Sequence, residues 1–420
     1  MRVTADLHIH GRFSQATSND LDIKNLEKYA KLKGVTLLGS GDFTHPKWVV
    51  ELKEKLVEEQ DGVYRTATGF PFILQTEISL IYSQGGKGRR IHNIVLAPNF
   101  DVVGQITEYL LKHGRVDYDG RPIFKIPCPE FVESLKKISD KIEVIPAHIW
   151  TPWFSLFGSM SGFDTVRECF GDQTKEIHAL ETGLSSDPAM NWRLSQLDKY
   201  ALVSFSDLHS YWPWRIGREA TIFDIELTYD NILKALRTKE GLSETIEVDP
   251  NYGKYHFDGH RNCKVSLSPA ETRKHKGMCP VCGKALTIGV LNRVEELADR
   301  PEGFVPEGAV PFRSLIPLSE IISSITGKGI MTKSVWKEFD TLIKAYSSEL
   351  NVLLDSEFAK LTSLVGEKIA RAIIDIREGR IKIKPGYDGE YGVPIFSEEQ
   401  EKKKGIEIKP RQVQTDLSDY

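Results

Sequence analysis

The chain has 420 residues, 40% hydrophobic and 27% charged, with a formal net charge of −4. That length holds two or three domains around a large core, and no run of 18 or more apolar residues exists to form a transmembrane helix. The slight acidity does not advertise nucleic-acid binding, but a basic groove can coexist with an acidic remainder. The N-terminus lacks a basic region followed by an apolar stretch, so no export signal is expected. Five cysteines, an odd number, argue for a reducing cytosol over a disulfide framework.

The first apolar run ends in Asp6-Leu7-His8-Ile9-His10. Residues two apart in a strand share a face, so His8 and His10 present two imidazoles together, half of a transition-metal site. Asn19 or Asp20 caps a helix over 21–33 that stops at Gly34, and 35–40 is the next strand, with Asp42 after it. Pro46 opens a helix through about Glu59. Residues 70–81, carrying Glu77, and 91–96, opened by His92, flank Gly85-Gly86-Lys87-Gly88, which reads as a hairpin turn. Further strands fall near 143–147, 178–182 and 201–206. His148 follows the first, and Ser206-Asp207-Leu208-His209 closes the series.

Alternating strands and helices imply a largely parallel sheet closed into a barrel, with the chemistry at the carboxyl ends of its strands. A single strand-end Asp commonly caps the next helix, and a single His commonly bonds a backbone carbonyl. Their recurrence at strand ends points instead to a multinuclear metal site. Glu181, also after a strand-like run, is placed to orient a ligand imidazole. Trp150 and Trp153 follow His148, and Trp212 and Trp214 follow His209. Each one alone is expected to wall the barrel mouth; together they offer a stacking surface for an extruded base. Arg215 and Arg218 are positioned to meet phosphates or to pair with surface acids.

His8-Ile9-His10, Asp42, Glu77, His92, His148 and Asp207-Leu208-His209 together resemble the motifs of the PHP (polymerase and histidinol phosphatase) superfamily of metal-dependent phosphoesterases. The resemblance covers residues 1–250. It implies a distorted (β/α)7 barrel in which these eight residues bind two or three divalent ions (Zn2+, Mg2+ or Mn2+), with Glu77, His148, Asp207 and His209 as the catalytic set. Phe43 stands where the family has a His after the Asp, so His45 and Asp20 remain alternatives to Asp42.

Residues 251–295 contain Cys263 and then Cys279-Pro280-Val281-Cys282-Gly283-Lys284. Two thiolates spaced by two residues chelate one tetrahedral zinc, and the Gly relieves the turn. Cys263 is the third ligand and His260 the fourth, with His275 and His256 as competitors. Four ligands would make this zinc structural.

Residues 296–395 read as an α-helical domain. Phe358, Leu361, Val365, Ile369, Ala372 and Ile376 mark one face, interrupted by Gly366. Lys384 belongs to a basic stretch beyond it that is suited to a phosphate backbone. From residue 396 the composition turns polar, as in a disordered tail. Its end carries Gln414, Leu417 and Tyr420, spaced like the peptides that dock into a sliding clamp.

The whole combination resembles the endonuclease Q family. That resemblance implies a monomeric cytoplasmic nuclease acting on double- or single-stranded DNA. It implies incision on the 5′ side of deaminated bases (hypoxanthine, uracil, xanthine) and abasic sites, with base flipping, and no membrane partner. The alternatives are a phosphatase of a small phosphomonoester and a non-catalytic DNA or clamp adaptor. The first leaves the zinc module and tail unexplained; the intact Asp207 and His209 speak against the second.

Overall fold

The computed structural model describes residues 1–60 and 62–396. The Arg2–Asp6 strand runs antiparallel to Ala220–Asp224 and parallel to Leu37–Gly39, which in turn is parallel to Pro71–Gln84. Pro71–Gln84 pairs antiparallel with Lys87–Ala97, from Leu74↔Ala97 to Gln84↔Lys87, and Lys87–Ala97 pairs antiparallel with Glu143–Pro146. At the other edge, Leu242–Glu247 joins Ala220–Asp224 antiparallel and takes Phe312–Ser314 as a parallel neighbour. The result is a mixed α/β protein built on an 11-stranded sheet.

Two short strands, Ala179–Glu181 and Ala201–Val203, pair in parallel beside this sheet. The Ile149 amide donates to the Glu181 carbonyl at 3.1 Å and the Thr182 amide to that of Val203 at 2.9 Å. The Ser206 amide donates to Asp6 Oδ1 at 2.9 Å, and Ile9 bridges to Leu208. These contacts lead from Glu143–Pro146 back round to the first strand, so the loops bearing His8, His10, His148 and Asp207 converge.

A largely parallel sheet is not what forms. The hairpin expected at Gly85-Gly86 does form, both residues having left-handed φ (62° and 73°), and it makes the longest ladder antiparallel. Because Lys87–Ala97 begins so early, His92 sits mid-strand opposite Ser79 rather than opening its strand. The first helix, Ile23–Lys33, starts at Asp22, whose side chain accepts from the Asn25 amide, and not at Asn19 or Asp20; Gly34 (φ 101°) ends it as expected. The second stops at Lys55 because Val57–Gln60 turns into an edge strand against Val63–Arg65.

Five helices, Leu318–Thr326, Lys333–Tyr346, Glu349–Asp355, Phe358–Val365 and Glu367–Arg377, enclose a second core that includes Ile321, Phe339, Leu342, Val352, Leu361 and Ile373. Ala220, Ile222 and Ile246 of the sheet contribute to that core. The segment from 296 thus begins by adding a strand to the central sheet before it becomes helical. No helix among the described residues is long and apolar enough to cross a membrane. Gln414, Leu417 and Tyr420 lie outside the described residues.

Candidate active site

Glu77 is the hub. Its carboxylate is fully buried. Oε1 lies 2.7 Å from His92 Nδ1, 3.3 Å from His148 Nε2 and 3.5 Å from His8 Nε2; Oε2 lies 3.4 Å from His10 Nε2. Asp207 Oδ1 is 3.1 Å from His10 Nε2 and 3.7 Å from His8 Nε2. The structure thereby brings together two groups that share Glu77: His8, His10, Glu77 and Asp207, and Glu77, His92 and His148. Within each group the donor atoms lie within 4.8 Å of one another.

The strand ends that deliver these groups are strained. Asp42, His148 and Asp207 all hold left-handed φ (37°, 31° and 45°), a cost that concentrates at functional sites. Gly183 makes room for His148, since a Cβ there would lie 2.6 Å from His148 Cβ.

Electrostatics follows from packing four imidazoles against carboxylates. Burial pulls His8 and His10 down. The carboxylates of Glu181, Glu77 and Asp207 outweigh it for His8, and those of Asp42, Asp207 and Glu77 for His10, so both end well above the usual range. Burial pushes Glu77 up, but His92, Arg121, His8 and His10 hold it well below the usual carboxylate range. That negative field suits divalent cations. His8 Nε2 is buried without a hydrogen-bond partner among the described residues. A sequestered imidazole nitrogen facing two carboxylates fits a metal ligand better than it fits any contact present.

Asp42 is not in either ligand group. Its Oδ1 lies 3.0 Å from His10 Nδ1, and its Oδ2 accepts from the Gly11 amide at 2.6 Å and Ser14 Oγ at 2.8 Å. The geometry makes it a partner that turns His10. The alternatives fare no better: buried His45 stacks on Phe13 at 4.6 Å, and Asp20 is exposed. Glu181 does for His8 what Asp42 does for His10: Oε1 is 2.9 Å from His8 Nδ1, and Oε2 accepts from the His148 amide at 2.7 Å. His209 stands at the rim, outside both groups. Its Nδ1 is 3.0 Å from the Asp207 carbonyl, and its ring lies 4.8 Å from that of His10.

The aromatic surface is largely committed elsewhere. Trp150 is 1% exposed and donates to Asn191 Oδ1 at 2.8 Å, so it belongs to the core and cannot stack on a base. Trp212 stacks on Trp214 at 5.2 Å, and both meet Trp336 of the C-terminal helices, which joins the loop after His209 to that domain. Trp153 is edge-on to Tyr255. Arg218 donates to the Ser206 carbonyl through Nε (3.1 Å) and Nη2 (2.9 Å), bracing the segment before Asp207 instead of reaching for phosphate. Arg215 and Lys384 are partly exposed.

His260, Cys263, Cys279 and Cys282 form a third group whose donor atoms lie within 4.8 Å of one another, with Cys282 Sγ 3.5 Å from His260 Nδ1. His256 and His275 are outside it. Gly283 (φ 68°) turns the knuckle, and the Cys279 amide donates to the Lys284 carbonyl at 2.7 Å. Three thiols and one imidazole fit a closed tetrahedral zinc site. Asp388 ties this module to the C-terminal segment by accepting from the Arg261 amide and Thr287 Oγ1, both at 2.7 Å.

Residues 317–380 match a family model described as the MJ0043 C-terminal domain. The chain is 35% identical over 297 residues to MJ0043 of Methanocaldococcus jannaschii, covering 68% of this chain but only 35% of that longer protein. It is 30% identical over 413 residues to YqxK of Bacillus subtilis, covering 93% of this chain and 98% of that one. The crystal structure of the lesion-specific endonuclease PfuEndoQ from Pyrococcus furiosus superposes with a TM-score of 0.85 at 31% identity, covering 97% of this chain and 100% of that one. The chain belongs to the endonuclease Q family. A second structure of endonuclease Q, in complex with a 27-mer duplex substrate carrying an abasic lesion at the active site, matches with the same TM-score and identity over 95% of this chain and 98% of that one. Membership makes the chain a hydrolase of the nuclease type, and the groups around Glu77 are of a kind that could hold metal ions.

One residue of the endonuclease Q site carried no signal in the sequence. Arg121 Nη1 lies 3.2 Å from Glu77 Oε2. It sits in Asp119-Gly120-Arg121-Pro122, at no strand end and in no recognisable motif.

Proposed function

We propose that this endonuclease Q is a DNA-repair enzyme that hydrolyses the phosphodiester on the 5′ side of deaminated bases (hypoxanthine, uracil, xanthine) and abasic sites. The observation that carries the reading is the pair of buried ligand groups sharing Glu77, in a chain that aligns end to end with a relative solved on lesion-bearing duplex. The architecture is read as a PHP-type barrel over residues 1–250, a zinc module over 251–295 and a helical DNA-gripping domain over 296–395. The clamp-like peptide at Gln414, Leu417 and Tyr420 would recruit a sliding clamp.

His8, His10, His92, His148, Glu77 and Asp207 would hold two or three divalent ions, Glu77 being common to both groups. Such ions supply Lewis acidity toward a phosphate oxygen and lower the pKa of water enough to make a nucleophile near neutral pH. The protein's own work is orientation. Glu181 and Asp42 accept the Nδ1 protons of His8 and His10 and so turn Nε2 of each ring toward Glu77 and Asp207. The Asp207 carbonyl engages His209 Nδ1 and fixes that ring at the open side. Damaged pairs unstack more cheaply than sound ones, which favours extrusion of the lesion toward the metals.

The test is one labelled duplex with a single deoxyinosine beside an undamaged twin, in magnesium or manganese. A single cut 5′ of the lesion, absent from the twin and abolished in Asp207→Ala with DNA binding retained, supports the reading. No cut on either strand, alongside turnover of a generic phosphomonoester, would replace it with a small-molecule phosphatase.

A further inference from the structure

Among the described residues, Arg121 is the one Lys or Arg that reaches Glu77. It is delivered there by a loop keyed into the segment after His10. Asp119 Oδ1 accepts from the Gln15 amide and from the Arg121 amide, both at 3.1 Å, and the Gly120 amide donates to the Phe13 carbonyl at 3.1 Å. The fit at Gly120 leaves no room for a side chain: a Cβ there would lie 2.4 Å from both Asp42 Oδ2 and Ser14 Oγ. The loop carrying Arg121 is thus locked to the carboxylate that orients His10.

Charge balance alone does not account for this construction. Glu77 already faces four imidazoles, and divalent ions seated on it would compete with the guanidinium for the same oxygens. Arg121 keeps a quarter of its side chain open to solvent, whereas Glu77 has none. A guanidinium keeps its charge in a protein whatever its surroundings. Among the described residues, only Glu77 engages a side-chain N–H of Arg121. A guanidinium has a planar fork of donors that matches two phosphate oxygens, which an ammonium cannot copy.

We propose that Arg121 is a catalytic residue that grips the phosphate being cut, passing from Glu77 to a non-bridging phosphate oxygen when metal ions occupy the carboxylate. The proposal rests on the nuclease reading above. It places a cation on a group whose negative charge grows in the transition state, where one donor of this kind is worth on the order of 100-fold in rate.

Full-length wild type, Arg121→Met and Arg121→Lys are compared in three measurements. Metal content of the purified proteins, with thermal unfolding beside it, should be the same in all three. Single-turnover cutting of the deoxyinosine duplex should fall about 100-fold or more in Arg121→Met, with partial recovery in Arg121→Lys. Inorganic phosphate binding to the metal-loaded proteins should weaken at least about tenfold in Arg121→Met, one lost charge-assisted contact. This last measurement stands even if the wild type cuts no duplex, the outcome that would sink the nuclease reading by itself. Equal phosphate affinity in wild type and Arg121→Met overturns the proposal, as does loss of metal together with activity, which would make Arg121 a support of the metal site.

Discussion

A carboxylate that binds no ion can still decide whether an ion binds. Glu181 spans His8 Nδ1 and the His148 amide, one histidine from each of the two groups around Glu77. Removing it frees the His8 ring and leaves the His148 amide unpaired in a buried setting. Glu181→Ala should therefore lose 10- to 100-fold in metal affinity, about the usual cost of such an outer partner, with Glu181→Gln retaining more; titration of metal into the apo variants reads this directly. A second buried carboxylate serves the fold alone. Burial pushes Glu247 up to about 8, against the opposing hydrogen bonds from Thr245, Thr182 and Ser204. The folded state then holds a proton that the unfolded chain has shed above its ordinary value of 4.5. Stability from this group is complete below that value and drains away as pH rises toward 8, at up to about 1.4 kcal/mol per pH unit. Glu247→Gln should flatten that slope in denaturant unfolding measured from pH 5 to 8.5; an unchanged slope would assign the pH dependence to other groups. The His8-x-His10 and Asp207-x-His209 pairs could be read from the sequence because both members of each lie within one short segment. The roles of Asp42 and Arg121 could not: their partners are 32 and 44 residues away, and only the folded loops bring them together.

At the scale of the element, periodicity located most strands but not their direction. The Gly85-Gly86 turn marked 71–84 and 87–97 as a hairpin, but the apolar runs did not show how early the second strand begins, which carries His92 to mid-strand, nor that 143–146 joins it antiparallel. Capping signals behaved likewise. Gly34 stops its helix where expected, but among the several polar residues before it only Asp22 has its side chain on the Asn25 amide. Gly366 is the sharper case. It joins Phe358–Val365 to Glu367–Arg377 as a single-residue turn with φ 81° and ψ 162°, a region that is essentially closed to residues with a Cβ. A Cβ added there would touch nothing within 4 Å, so any cost is purely conformational. Gly366→Ala should destabilise by about 1–3 kcal/mol with no change in metal content, measured by denaturant unfolding. A neutral result would mean that the two helices can re-join through another backbone geometry.

At the scale of the molecule, the helical domain is bound to the sheet by more than the chain that links them. Lys33, in the last turn of the first helix, is 1% exposed and donates to Glu349 Oε1 at 2.6 Å and to the Pro213 carbonyl at 2.8 Å. Glu349 Oε1 also accepts from the Leu318 amide at 2.9 Å. One buried ion pair thus pins together the N-terminal helix, the loop that carries Trp212 and Trp214, and the start of the C-terminal helices. Nothing in the sequence marked it, because a lysine in the last turn of a helix ordinarily serves the helix dipole in solvent. Removing one partner of such a pair strands the other charge away from water. Lys33→Met should cost about 3–5 kcal/mol, whereas Lys33→Met with Glu349→Met should cost much less, since two apolar side chains of similar size can fill the space. Unfolding of wild type, both single variants and the double variant gives the coupling between the two ends of the chain. If the single variants lose little, the helical domain is held by its shared core around Ile222 and Ile246 instead. If they lose as much as expected, the same proteins test whether the domain's docking matters to the site, because the loop anchored at Pro213 is the one that follows His209. Weaker lesion binding in Lys33→Met with metal content unchanged would then tie the grip on DNA to this buried pair.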